Sequence, residues 1–215
     1  NYGINDADVE SGRIQVRAFV VKEYQEYPSN WRSQKSLAQY LKEAHVPGVE
    51  GIDTRALTRH IRQAGAMRAA LSTLDLHPNS LVSKARQSPS MTGLDLVKEV
   101  TGKEPMLWRD GRPVRLDRGL EGFQWPDEPG KWRVVVMDYG VKYNILRSLE
   151  QRGCTLLLLP ANTDSATISR LNPHGLFLSN GPGDPAAVTY AVETIRAQIG
   201  ERPIFGICLG HQLVG

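Results

Sequence analysis

The amino-acid pattern predicts an α/β protein: a doubly wound, mostly parallel sheet domain preceded by a smaller mixed α/β domain. From Trp132 onward, short apolar runs alternate with segments of helical spacing in the order β-α-β-α-β-α-β. The runs are near-continuously apolar, as strands buried on both faces of a parallel sheet must be. The last of them ends in Gly206-Ile207-Cys208-Leu209-Gly210, a cysteine between two glycines where a strand gives way to a helix. The first hundred residues lack this alternation. The expected organisation is therefore an N-terminal domain over 1–102, a loose linker rich in Pro, Gly and Trp over 103–131, and the sheet domain over 132–215.

In the first domain, Arg13 to Val21 alternates enough for a strand, and Gln34 to Ala44 carries Leu37, Tyr40 and Leu41 on one helical face. Thr54 to Gln63 is a second helix, with Asp53 placed to accept from its first free N–H groups. Arg55, Arg59 and Arg62 fall on one stripe of it, which raises the alternative of a helix-turn-helix nucleic-acid reader. The nine residues from His45 to Asp53 are too many for the ~3–4-residue turn of that motif. A solvated or partner-facing stripe is the expectation instead. A third helix covers Leu81 to Gln87.

In the second domain the β-branched run Trp132 to Met137 ends at Asp138-Tyr139-Gly140. Tyr143 to Gln151 has helical spacing through Ile145, Leu146 and Leu149, and Gly153 marks the return to a strand over Cys154 to Leu159. Asp164 to Leu171 is a short helix, Leu176 to Ser179 a strand, Val188 to Ile199 a helix and Ile204 to Ile207 the last strand. A helix starts at Leu209.

The Gly-x-Cys-x-Gly turn reads as a nucleophile elbow. Such a turn strains the backbone at the nucleophile and brings strand and helix close, which excludes side chains two positions before and after it. A thiol at a helix N-terminus faces the positive end of the helix dipole, which favours the attacking thiolate. The N–H of Leu209, left free by the first helical turn, is half of an oxyanion hole. Upstream, Asn180-Gly181-Pro182-Gly183-Asp184-Pro185 follows a short strand and must be a loop. Both segments leave carboxyl ends of parallel strands, where ligands bind, so the loop is expected beside the elbow with a glycine N–H completing the hole. Gly181, Gly183 and Ala186 also fit the dinucleotide pattern G-x-G-x-x-A. Pro182 and Pro185 remove N–H groups that would cradle a pyrophosphate, and Cys208 stands where a ribose-binding acid belongs, so that reading fails.

Composition fits an average globular protein: 215 residues, 40% hydrophobic and 23% charged. A net charge of +3, from 26 basic and 23 acidic residues, is too small to imply a nucleic-acid or membrane partner. The longest purely aliphatic run, Leu156 to Leu159, is far below the ~20 residues of a spanning helix, and a cytoplasmic location is the default. The two cysteines, Cys154 and Cys208, are expected as free thiols. His45, His60, His77 and His174 have no metal-like spacing and are expected on the surface or in loops; no metal site is expected. His211 sits one turn past the cysteine, where its ring reaches the sulfur poorly, and a structural role is expected for it.

Two of these segments, Leu178-Ser-Asn-Gly-Pro-Gly-Asp-Pro185 and Pro203-Ile-Phe-Gly-Ile-Cys-Leu-Gly-His-Gln212, resemble the glutaminase domain of class I, triad-type glutamine amidotransferases. Upstream, Asn1-Tyr2-Gly3-Ile4-Asn5-Asp6, Pro28-Ser29-Asn30-Trp31-Arg32-Ser33 and the stretch from Pro47 to Arg59 are similar to one group of these, the carbamoyl-phosphate synthase small subunits. The resemblance implies that Cys208 is the nucleophile that forms a glutamyl thioester. It implies that the N–H groups of Leu209 and Gly183 hold the oxyanion, and that Gly181, Gly183, Leu209 and Gln212 bind the substrate, L-glutamine. It implies no cofactor on this chain, with ATP and Mg on a partner large synthetase subunit or fused domain that receives the ammonia. The family's catalytic His and Glu lie well beyond the nucleophile, and a glutamine-contacting Ser lies before the first motif, so the chain is expected to be an internal piece of a longer protein. The rival readings are the glutaminase of another amidotransferase, against which the Pro47–Arg59 segment argues, and a noncatalytic docking subunit that keeps the elbow.

Overall fold

The computed structural model describes residues 2–215, which fall into two compact units that part between Met91 and Thr92. The first unit contains a two-stranded parallel sheet, β1 (Phe19–Val20) with β2 (Gly48–Val49), and three helices, α1 (Leu37–Glu43), α2 (Thr54–Ala64) and α3 (Pro78–Gln87). The expected strand over Arg13–Val21 shrinks to Phe19–Val20, the two residues in register with Gly48 and Val49, and the Val21 N–H closes the pairing on the Val49 carbonyl at 2.8 Å. The first helix starts at Leu37 rather than Gln34: the Ser36 side chain accepts the Gln39 N–H and fixes the start there. Asp53 caps α2 as expected, accepting from the Ala56 N–H at 2.9 Å. The third helix begins earlier than Leu81, with Pro78 in its first turn, where the missing N–H costs nothing.

The second unit is built on a six-stranded sheet in the order β4-β3-β6-β5-β7-β8. A single helical turn, α4 (Val97–Val100), precedes the hairpin β3 (Met106–Arg109) and β4 (Arg112–Arg115). Then come β5 (Trp132–Asp138), α5 (Tyr143–Glu150), β6 (Cys154–Pro160), α6 (Ser165–Leu171), β7 (Gly175–Leu178), α7 (Thr189–Gln198), β8 (Ile204–Gly206) and α8 (Leu209–Gln212). Strands β6, β5, β7 and β8 are parallel, and β3 joins β6 antiparallel. One face of the sheet, with Val135, Met137, Leu157, Leu159, Leu176 and Leu178, packs on α6 and α7 through Ile168, Ala191 and Ile195. The other face, with Val136, Leu156, Leu158 and Phe177, packs on α5 through Leu146. Helices on both faces make the domain doubly wound, and the alternate side chains of each strand explain why the runs are apolar without interruption.

The region 103–131 is not a loose linker. Its β3–β4 hairpin pairs with β6 from Met106↔Leu158 to Trp108↔Leu156. Glu150, at the end of α5, accepts from the Trp108 indole at 3.1 Å and from the Asp110 and Gly111 N–H groups at 2.9 and 3.1 Å. Further on, the Trp125 indole donates to the Leu171 carbonyl at 2.7 Å. The segment is held because its aromatic N–H groups and turn amides find acceptors on helices that already belong to the sheet domain.

The strand order places a switch point between β5 and β7: the chain leaves β5 for β6 on one side and returns to β7 on the other. Ligands of open α/β sheets sit outside the carboxyl ends of the strands at such a point.

Candidate active site

Two loops at the switch point are locked together by side chains. The Ser179 hydroxyl, fully buried, accepts the Tyr139 N–H at 2.8 Å and donates to the Asn180 carbonyl at 2.8 Å. The Asn180 amide donates to the Gly140 carbonyl at 2.9 Å and accepts the Lys142 N–H at 3.1 Å. Asp138 accepts from Gly140 and Val141 at 2.9 Å each through Oδ1, and from Gly102 at 2.8 Å through Oδ2. Asp138, Ser179 and Asn180 were not singled out from the sequence. The signal was available in principle: Asp two residues before Gly, and Ser-Asn at the end of an apolar strand, are side chains that tie down turns.

The elbow docks on the same strand end. The Ile207 N–H donates to the Leu178 carbonyl at 3.1 Å, and the Gly210 N–H donates to the Ser179 and Ile207 carbonyls, each at 3.1 Å. Cys208 takes φ 52° and ψ −113°, a conformation that side-chain-bearing residues rarely adopt, and its side chain is exposed. The two flanking glycines are there for space. A Cβ on Gly206 would stand 2.6 Å from the Gly210 carbonyl carbon and 2.7 Å from the His211 nitrogen, and one on Gly210 would collide with the Leu178 backbone. The strand and helix therefore approach closer than any other residue pair would permit.

Leu209 opens α8; its side chain is buried, and its N–H has no acceptor among the described residues. Gly181 packs its Cα against the Tyr139 carbonyl and the Leu209 side chain, which brings the glycine loop onto the elbow; a Cβ would lie 2.8 Å from Leu209 Cδ2. Gly183 has φ +94° and lies against Leu94 and Leu96, and its N–H also has no acceptor among the described residues. Gln212 closes the first turn of α8, its N–H donating to the Cys208 carbonyl at 3.0 Å. It shares with Pro185 and Ala186 a cavity of about 320 Å³ that continues along α7.

His211 is exposed on α8, and what the elbow needs from it structurally is its backbone nitrogen lying close under Gly206. His174 accepts the Arg133 backbone N–H at Nδ1 at 3.0 Å, and its Nε2 lies 3.1 Å from the Arg133 guanidinium, a tie across the sheet far from the elbow. Cys154 is half-buried at the start of β6, and burial pushes its thiol up. Tyr139, beneath the glycine loop, is fully buried with its hydroxyl unpartnered. Among the described residues no three His, Cys, Asp or Glu side chains cluster as metal ligands, and no helix is long and apolar enough to cross a membrane.

With this geometry in place, comparison with known proteins is specific. Residues 1–71 match the family described as carbamoyl-phosphate synthase small chain, CPSase domain, and residues 135–215 match glutamine amidotransferase class-I. A carbamoyl phosphate synthase small chain of Syntrophotalea carbinolica is 54% identical over 214 residues, covering 100% of this chain and 56% of that protein. Proteins of the same description from Nostoc sp. and Thermosynechococcus vestitus are 46% and 48% identical over 216 residues, with 55% and 56% of their own lengths covered. The chain thus spans a little over half the length of the curated relatives it matches. Over its whole length the chain is similar to carbamoyl phosphate synthase small chains.

Proposed function

We propose that the chain carries the nucleophile half of a glutaminase site that supplies ammonia for carbamoyl phosphate formation. In this reading L-glutamine enters between the Gly181–Gly183 loop and the elbow. The Cys208 thiolate attacks the side-chain amide carbon; an S–C bond forms, and the carbonyl oxygen becomes an oxyanion between the Leu209 and Gly183 N–H groups. When the oxyanion collapses the C–N bond breaks, and a proton delivered to the nitrogen lets it leave as ammonia. Water then resolves the thioester to glutamate. The proton donor is the histidine that the resemblance implies further along the full-length protein. Ammonia passes to a large synthetase subunit or fused domain, where ATP, Mg and bicarbonate are handled. Gln212 and Gly181 help hold the substrate.

The observation that carries this reading is the conjunction at the elbow: an exposed cysteine at positive φ, followed by a buried leucine whose N–H is left without an acceptor, docked on a loop of glycines. A structural cysteine has no use for that strain. The test is intact-mass analysis of the full-length parent after incubation with a glutamine-mimicking electrophile. One adduct that maps to Cys208, is blocked by excess glutamine and is lost in Cys208→Ser supports the reading. A folded full-length protein that takes no adduct leaves a docking subunit without chemistry.

A further inference from the structure

The segment Gly93–Gly102 crosses the loops that leave β5, β6 and β7, and it is fastened to each of them. The Gly93 N–H donates to Asp184 Oδ2 at 3.2 Å. The Leu94 carbonyl and Leu96 lie against Gly183, so that a Cβ there would stand 3.2 Å from the Leu94 oxygen and 3.4 Å from Leu96 Cβ. Asp95 accepts from the Tyr190 hydroxyl at 3.3 Å and pairs with Lys98 at 3.2 Å. Val97 is fully buried in the core, the Thr101 hydroxyl accepts the Ala161 N–H at 2.9 Å, and Gly102 is held by Asp138. The segment is a strap, and Leu94 and Leu96 leave room beside Gly183 for little more than a hydrogen.

Asp184 is the point where strap and loop meet. Its second oxygen accepts the Ala186 N–H at 3.0 Å, so one carboxylate ties the strap to the single helical turn Pro185–Ala187 directly after Gly183. Pro182 and Pro185 have no N–H with which to fix the loop. The Gly183 N–H itself has no acceptor among the described residues, so its direction is set by its neighbours.

We propose that Gly93–Gly102 is a positioning strap for the Gly183 peptide, with Asp184 as its latch and the Tyr190–Asp95 bond as a second fastening. The inference rests on the reading of Gly183 as an oxyanion donor. Asp184 touches no reacting atom; it aims the N–H that does. A donor aimed at an oxyanion acts on the transition state rather than on bound glutamine, so loosening it lowers kcat and spares KM.

The experiment measures steady-state glutamine hydrolysis in the full-length protein assembled with its synthetase partner, for the parent, Asp184→Ala, Asp184→Asn and Tyr190→Phe. Asp184→Ala is expected to lower kcat about 10-fold with KM within about 2-fold. Asp184→Asn, which keeps an acceptor for only one of the two N–H groups, recovers part of the loss. Tyr190→Phe lowers kcat about 2–3-fold and decides the matter if Asp184→Ala does not fold. Variants with the parent's kcat, or with KM raised and kcat unchanged, overturn the strap while the parent still releases ammonia and labels at Cys208. A folded parent that does neither overturns the glutaminase reading and the strap with it.

Discussion

Gly206→Ala tests whether the elbow is built on close approach. The added Cβ would stand 2.6 Å from the Gly210 carbonyl carbon and oxygen, whereas ordinary contact begins at 3.4 Å, so strand β8 and the first turn of α8 must part by 3.4 − 2.6 = 0.8 Å. The obstacle is backbone on both sides, and it cannot be relieved by turning a side chain. Gly206 does not have positive φ, so the penalty is steric rather than conformational. Overpacking of this kind costs about 1–3 kcal/mol of stability. A displacement near 1 Å of the Cys208 thiol and the Leu209 N–H relative to the glycine loop costs about 100-fold in the rate of glutamine hydrolysis. The assay pairs a thermal melt with ammonia release by the full-length protein, each against the parent. Gly206→Ala that melts like the parent and keeps kcat within about 2-fold would refute the steric account.

Cys208→Gly abolishes glutamine-dependent ammonia release but raises the melting temperature, because glycine escapes the about 1–3 kcal/mol strain of a side-chain-bearing residue at φ 52° and ψ −113°, which outweighs the roughly 0.5–1 kcal/mol of backbone entropy that glycine loses on folding, and the exposed thiol gives up no packing; a midpoint lowered by the full glycine cost would show that φ 52° carries no strain. Asp138→Ala leaves the N–H groups of Gly102, Gly140 and Val141 without their acceptor and destabilises the second unit by about 3 kcal/mol, with hydrogen exchange at those three amides accelerating first. In the first unit, hydrogen bonds from Lys84, Ser80 and the His77 N–H hold the Asp75 carboxyl down at about 2, below its ordinary 3.8. A depressed carboxyl contributes stability above its unfolded value that is lost as pH falls from 3.8 through about 2, so Asp75→Asn flattens the acid side of the stability profile in that window; equal slopes for variant and parent would contradict it.

The parts of this chain legible in its sequence are those where one residue type answers one local demand. Gly206, Cys208 and Gly210 are such a set, since the spacing itself states that a strand and a helix meet without room for side chains. Strands β5, β6 and β7 are another, because burial on both faces leaves an unbroken apolar run. The β3–β4 hairpin was missed although its turn, Asp110-Gly111, is a strong two-residue hairpin signal, with both residues at positive φ. Charged residues and Pro113 disguise its strands, which is permissible because β4 is an edge. In the first unit, alternation from Arg13 to Val21 predicts a strand, but pairing with β2 involves only Phe19, Val20 and the Val21 N–H. Least legible were the partners of the glycine loop. Tyr139 lies about 40 residues from Gly181 and Leu94 about 90 from Gly183, and no local pattern announces a contact made at such separation.

The strain at Cys208 explains why so much of the domain converges on one turn. A side-chain-bearing residue at that φ and ψ costs about 1–3 kcal/mol and persists only where its surroundings leave no alternative. Here the turn is clamped from below by the Ile207 and Gly210 N–H bonds to Leu178, Ser179 and Ile207, and from ahead by the Gln212 N–H on the Cys208 carbonyl. It is also weighted by Leu209 and Leu213, both buried in the core, at about 1.5–3 kcal/mol for each such side chain. Those terms exceed the strain, so the cysteine is held in place by residues that do no chemistry. The strand end that does the clamping, Leu178-Ser179, also carries the glycine loop, and the loop is fastened in turn to Asp138–Gly140 and to the strap. Elbow and loop therefore share one support, and a change that shifts β7 by a few tenths of an ångström moves the thiol and the glycine amides together rather than apart.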